Sequence, residues 1–210
     1  MSQQTAASPA APSPEASQAL PAIGAPFAGG YYAGQIRVGD TVYGLVVAGI
    51  AGQLRAAWNT TTRSVPGAES LADGLANTQA MAAAGSELAQ AALALTIDGF
   101  ADWYVPARDE LELVYRHFKP TTEANWDGEG ANESSVPAGA SYTEELPEQT
   151  AVELFRQGAA EALEAAWYWS STQYAGFPYY AWSQNFDDGG QYYGHKSYAG
   201  RARAVRRFAI

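Results

Sequence analysis

Asp102-Trp103-Tyr104-Val105-Pro106-Ala107-Arg108-Asp109-Glu110-Leu111 is the stretch on which the fold turns. The block opens on aromatic residues and changes character at Pro106, whose fixed φ and missing N–H suit the entry to a helix. Beyond it Leu111, Val114, Tyr115 and Phe118 recur on one face, and Pro120 lies past the end, so a helix over about 107–118 is predicted. Asp109 and Glu110 in its first turn and Arg116, His117 and Lys119 in its last complement the helix dipole.

Upstream, Ser70 to Leu95 is rich in Ala, Leu, Glu and Gln, with Leu71, Leu75, Met81, Leu88, Ala92 and Leu95 as apolar marks. This reads as helix with a break at Gly85, its Ala-rich face packing closely on a sheet. Ile36, Val38, Val42 and Leu45 to Val47 flank a turn at Gly39-Asp40, a β-hairpin signal that we place at an edge of the main sheet. Residues 1–29 are Ala, Pro, Ser, Gln and Gly with almost no charge, a composition that buries too little apolar surface to offset ordering entropy. They are expected to form an extended attachment tail, with the globular part occupying residues 30–210.

Downstream, residues 121–149 form a long polar stretch broken by Gly128, Gly130, Pro137, Gly139 and Pro147, which reads as a loop-like or locally mobile excursion. A short helix from about Thr150 to Ala160 is expected after it. From Trp167 onward the chain changes to short strand-like pieces dense in Trp, Tyr, Ser and Gly, as in an irregular sheet with large surface loops.

Charge and composition exclude several functions. A net charge of −10 repels nucleic acid and anionic lipid. Acids dominate between Tyr104 and Glu164, whereas Arg201, Arg203, Arg206 and Arg207 make the C-terminus basic. An ion-pair match of Arg203, Arg206 and Arg207 with Asp109, Glu110 or Glu112 is the expected use of that run, with a nucleic-acid-binding tail as the rival. The chain has no cysteine, so disulfides, thiolate nucleophiles and cysteine-bound zinc do not arise. Its only histidines are His117 and His195, and it lacks a phosphate loop, an HExxH pair and a nucleophile elbow, so no enzymatic activity is expected. The N-terminus shows no basic n-region followed by an apolar h-region, and no stretch is long enough to insert in a membrane; synthesis and retention in the cytoplasm, or release by another route, is the expectation.

The Asp102–Leu111 block resembles that of a domain family typified by the C-terminal domain of a collagen-like bacterial adhesin, a family with a C-type-lectin-like fold. A second block resembles the same family's C-terminal signature: Tyr168-Trp169-Ser170-Ser171-Thr172-Gln173, Ala181-Trp182, Phe186, Gly189 and Arg201 to Arg207. Trp58-Asn59 and Gly74 to Thr78 are also similar, so the resemblance spans roughly Tyr31 to Ile210. It implies an α+β, C-type-lectin-like fold with two or three helices around small irregular antiparallel sheets, plus the extended N-terminal tail.

Within that family, Ala181-Trp182-Ser183-Gln184-Asn185-Phe186 followed by Gly189, Gln191, Lys196 and Arg201 to Arg207 is similar to the variable proteins of diversity-generating retroelements, among them a phage tropism determinant. Such systems turn AAY codons into NNY codons, which cannot encode Glu, Gln, Lys, Met or Trp. Once Trp182, Gln184, Gln191 and Lys196 are set aside as framework, residues 174–200 contain none of these types.

The resemblance therefore implies a variable, ligand-binding face of Tyr174, Phe177, Tyr179, Tyr180, Ser183, Asn185, Asp187, Asp188, Tyr192, Tyr193, His195, Ser197 and Tyr198. Tyr gives a large rigid amphipathic surface, and Ser, Asn and Asp give adaptable hydrogen bonds. Strand alternation predicts Trp182, Gln184 and Phe186 packed inward and Ser183, Asn185 and Asp187 facing out. The competing structural reading makes the tyrosines part of an ordinary core or edge sheet. Trp103, Trp167, Trp169 and Trp182 are read as core.

No cofactor or resident metal is expected; calcium at Asp187-Asp188-Gly189, or at Asp127, Glu129, Asn132 and Glu133, is weighed against solvated turns, since neither has EF-hand spacing. As the resemblance implies, the chain is expected to be a phage virion receptor-binding protein, a homo-oligomer assembled in the host cytoplasm. It would hold other virion proteins through its tail and contact a bacterial surface protein or glycan. A structural or decoration protein of capsid or tail, and a cellular diversified surface lectin, are the alternatives.

Overall fold

In a computed structural model, residues 20–210 are described. β-Branched residues on either side of Gly39, which takes a left-handed φ of 58°, form a hairpin of β2 (Gly30–Val38) and β3 (Thr41–Val47). The last strand of the chain, β9 (Val205–Ala209), returns to pair antiparallel with β3, with Val47 opposite Val205 and Tyr43 opposite Ala209. The hairpin is thus the middle of its sheet rather than an edge, because β9 covers β3 and β1 (Pro26–Phe27) covers β2.

Residues 1–19 of the expected tail lie outside the described residues. Residues 24–29 join the fold: Gly24 N–H donates to the Tyr32 carbonyl at 2.8 Å, and the Phe27 ring packs 4.9 Å from Phe208.

A second sheet of five strands has the order β4 (Gln53–Ala57), β8 (Ala199–Arg203), β5 (Trp167–Gln173), β6 (Tyr180–Asn185), β7 (Gln191–His195). All its neighbours are antiparallel except β5 and β8, which meet in parallel at Tyr168 and Arg201. β7 is left at the open edge.

The Ala-rich segment folds as two helices, α1 (Gly74–Ala83) and α2 (Glu87–Leu93), with Asp73 and Ser86 as N-caps and Gly85 at φ 85° between them. Met81, Leu88, Ala89 and Ala92 pack with Trp58, Trp169 and Ala202. The third helix, α3 (Arg108–Phe118), buries Leu111, Val114, Tyr115 and Phe118 as the spacing predicts. It also buries Asp109, Glu110 and Glu112, so its acidic face is covered too. The family's fold class is therefore the one observed: α+β, with three helices and two small sheets.

Asp109 and Glu112 are covered by the excursion 121–149, which is irregular but tied down. Asn132 Nδ2 donates to the Asp109 carbonyl at 2.8 Å and to Glu112 Oε2 at 2.5 Å, and Tyr142 OH donates to Glu112 Oε1 at 2.8 Å. Asn125 Nδ2 reaches three carbonyls of residues 143–147. The helix expected over 150–160 is only a 3-10 turn at Glu153–Phe155, since its apolar residues are too few to define a face and only Phe155 of that turn is buried.

The two signature blocks bind each other. Tyr104 and Val205 exchange backbone hydrogen bonds of 2.9 Å in both directions, Ser171 N–H donates to the Pro106 carbonyl at 2.7 Å, and Arg108 N–H donates to Thr172 Oγ1 at 3.0 Å. The C-terminal arginines serve the same junction, though not with the acids of α3. Arg206 forks onto Asp102 at 2.7 and 3.0 Å, and Arg207 pairs with Asp73 at 2.9 Å. Arg203 is buried and donates to the carbonyls of Ala48, Glu161 and Ala162 and to Gln53 Oε1. The expected partners are taken differently: Glu112 by Arg116, and Glu110 by backbone amides and a phenol.

Candidate ligand-binding surface

β6 and β7 form the outer hairpin of the five-stranded sheet, and residues 174–200 include its strands and three connecting loops. Side chains directly opposite in an antiparallel pair share a face. Tyr180 opposite His195, and Trp182 opposite Tyr193, therefore define one face, while Ser183 opposite Tyr192 defines the other.

On the first face the rings touch in a continuous network. Tyr174 stacks on Tyr193 at 4.1 Å and meets Trp182 edge-on at 5.3 Å, and Tyr180 lies 5.1 Å from Tyr193. Phe177 stacks near Tyr179 at 5.7 Å, and His195 closes the group between Tyr180 and Tyr198. Arg108, at the start of α3, borders this face: its guanidinium donates twice to Gln191 Oε1, at 2.9 and 2.7 Å, and lies 4.8 Å from the Trp182 ring centroid.

On the second face Trp167, Trp169, Ser183, Tyr192 and Tyr198 line an apolar cleft of about 280 Å³. Asn185, Asp187 and Asp188 sit at the far end in the β6–β7 turn, where the Asn185 side chain accepts from Asp187 N–H and that of Asp188 from Gly190 N–H. Ser197 Oγ lies 2.8 Å from His195 Nδ1 at the opposite end. The predicted residues thus divide over two faces and two ends of one hairpin. All of them are at least partly exposed.

The residues set aside as framework behave differently. Gln173, Gln184 and Lys196 are buried. Gln173 Oε1 accepts from Val65 N–H and from Lys196 Nζ, and Lys196 Nζ lies 4.5 Å from the centre of the Trp58 ring. Without a carboxylate partner in hydrogen-bond reach, burial pulls the Lys196 ammonium down to about 8. Gln184 Nε2 donates to Tyr142 OH and the Gly189 carbonyl.

The fold expected from the two blocks is also the family that matches. The model of the family described as Lcl C-terminal domain matches residues 53–206. The chain belongs to this family. No curated protein and no solved structure gave a match. In this Lcl C-terminal domain the matched span holds the first signature block, the second as far as Arg206 and the whole outer hairpin, and begins at β4.

Two tryptophans depart from the core reading. Trp103 and Trp169 are buried, but Trp182 is half-covered in the aromatic network, and Trp167 is 46% exposed. Trp167 and Trp169 share the face of Ser183 because β5 pairs Trp169 with Ser183, so the alternation of Trp167-Tyr168-Trp169 already carried this signal. Alternation fails for Trp182 because its neighbours are the aromatic side chains of the surface rather than the core. Trp126 had no signal beyond being an aromatic among polar residues; it is 63% exposed. Among the described residues no three His, Asp or Glu side chains converge as metal ligands would.

Proposed function

We infer that this protein is a receptor-binding component of a phage particle, that the outer hairpin of its lectin-like domain contacts a bacterial surface protein or glycan, and that it is not an enzyme. The observation that carries this reading is the division of residues 173–200 by burial. The types an NNY codon cannot encode are packed in the framework or tied to it, and among the remaining side chains only Ala181 and Phe186, both of the family's signature, are buried while the others reach solvent. A surface organised in this way tolerates replacement of its contact residues without loss of the fold. Tyr174, Tyr193 and Tyr192, stacked at 4.1 and 4.5 Å, offer a rigid aromatic row whose ordering cost on binding is small. Multivalent display on a homo-oligomer attached through the N-terminal segment would convert modest single-site affinity into firm attachment.

The test is binding of the purified protein, alone and clustered, to a panel of intact bacteria, against a variant with Tyr174, Tyr179, Tyr192, Tyr193 and Tyr198 replaced by alanine. Strain-selective binding that disappears in the folded variant supports the reading. Absence of binding by the clustered wild type overturns it in favour of a structural role in the capsid or tail.

A further inference from the structure

Beside the cleft of the second face, and sharing Trp167 and Tyr192 with it, lies another of about 360 Å³. Its walls are Trp126, Trp167 and Tyr192, and its polar side chains are Glu129, Asp188 and Gln191. Trp126, Trp167 and Glu129 fall outside residues 174–200, whereas Asp188, Gly190, Gln191 and Tyr192 fall within them, so the cleft joins the two parts of the chain.

Three features narrow what it can hold. Each of the three aromatic rings is about half exposed or more, 63% for Trp126, 46% for Trp167 and 58% for Tyr192, although one face of Tyr192 is stacked on Tyr193 at 4.5 Å. No Lys or Arg lines the cleft, though Arg108 beyond it occupies Gln191 Oε1, and neither Glu129 nor Asp188 forms an ion pair among the described residues. Lys119, the base that Asp188 influences, is buried behind the loop and donates to the Glu123 and Pro147 carbonyls and to Asn125 Oδ1. The rings also stand on a fixed backbone: Trp126 N–H donates to the Asp188 carbonyl at 2.8 Å, and Glu129 N–H to the Trp126 carbonyl at 3.4 Å.

Aromatic faces with negative charge at the rim attract a cation. Anionic ligands meet two carboxylates and a net charge of −10. A primary ammonium would draw its three N–H groups to the Glu129 and Asp188 carboxylates and leave the three ring faces unused. A methylated ammonium spreads its charge over apolar methyl groups that fit between indoles. The geometry points to a quaternary ammonium site of the choline type, formed by Trp126, Trp167 and Tyr192 with Glu129 and Asp188. Through Trp167 and Tyr192 it adjoins the receptor surface proposed above, and would fix one chemical group of a partner beside its other contacts.

The experiment titrates the full chain with choline and with its neutral carbon isostere, 3,3-dimethylbutan-1-ol, following tryptophan fluorescence and heat. N-Acetyl-lysine amide and glucose serve as further probes. Saturable choline binding is expected, at least about tenfold tighter than that of the isostere. Trp126→Ala and Glu129→Gln, both at surface positions, should each weaken it about fivefold or more while thermal unfolding is unchanged. Equal binding of the isostere, tighter binding of the lysine amide or of glucose, or no response to choline overturns the proposal. A chain that binds choline but no bacterium keeps this inference and loses the receptor reading; the reverse result separates them the other way.

Discussion

The Trp169 indole lies against Gly200 so closely that a Cβ on the glycine would stand 2.4 Å from Nε1. The same ring crosses under Gly194, where an added Cβ would be 2.7 Å from Cη2. Trp169 is 5% exposed and packs with Trp58, Met81, Leu88 and Ala202, so only its edge toward the cleft of the second face is free of neighbours. Both glycines sit inside residues 174–200, where packing against this indole fixes them.

Gly200→Ala and Gly194→Ser should therefore destabilise the fold by about 1–3 kcal/mol each through overpacking. Denaturant unfolding checks this. A cost as small as that of Ala175→Ser in the exposed loop would show that the indole can shift.

Arg203→Ala should be among the most damaging single changes. The side chain is 1% exposed and satisfies three carbonyls from two segments, so its removal strands acceptors at a cost of about 3 kcal/mol or more. Arg203→Lys should not restore stability, because one ammonium cannot reach acceptors placed for a planar fork. Equal melting temperatures for Arg203→Lys and wild type would refute this.

Glu110 is wholly buried, and burial pushes its carboxyl up to about 7 against the pull of the Ala107 N–H, the Tyr104 hydroxyl and the Arg207 charge. In the unfolded chain it titrates near its ordinary 4.5. Between these values the folded state holds the proton that the unfolded state has lost, so this group's effect is a fall in stability as pH rises from about 4.5 to 7. The fall is on the order of 3 kcal/mol at most. Burial raises Asp109 and Glu112 in the same direction, whereas it lowers His117, which works oppositely. Glu110→Gln should flatten the decline in unfolding free energy between pH 5 and pH 7.5; an unchanged slope would assign it to the other acids.

Arg108 ties the start of α3 to the exposed edge of the second sheet through Gln191 and Trp182. Arg108→Ala should cost only about 1–2 kcal/mol globally. It should also speed amide hydrogen exchange in β7 selectively. Uniform acceleration across both sheets would mean that the arginine supports the whole domain rather than this edge.

Much of this molecule was legible in its residues. Pro106 with the spacing of Leu111, Val114, Tyr115 and Phe118 placed α3, Gly85 divided the Ala-rich segment, and Gly39 turned the first hairpin, because each is a local preference of a few neighbouring residues. The two signature blocks identified the family, and its pattern set Gln184 and Lys196, which are buried, apart from the tyrosines that reach solvent. Pairing across distance was not legible. Arg206 meets Asp102 and Arg207 meets Asp73, rather than the acids of α3, because strand β9 delivers those side chains to the junction below Tyr104. Likewise Trp126, Trp167 and Tyr192 come from three separate segments and share a cleft only after the loop 121–149 closes over α3 and the outer hairpin folds back on β5. Local propensity acts within a turn or a strand. Which rings meet across 66 residues of sequence, from Trp126 to Tyr192, is decided by sheet register and loop closure, which only the assembled fold supplies.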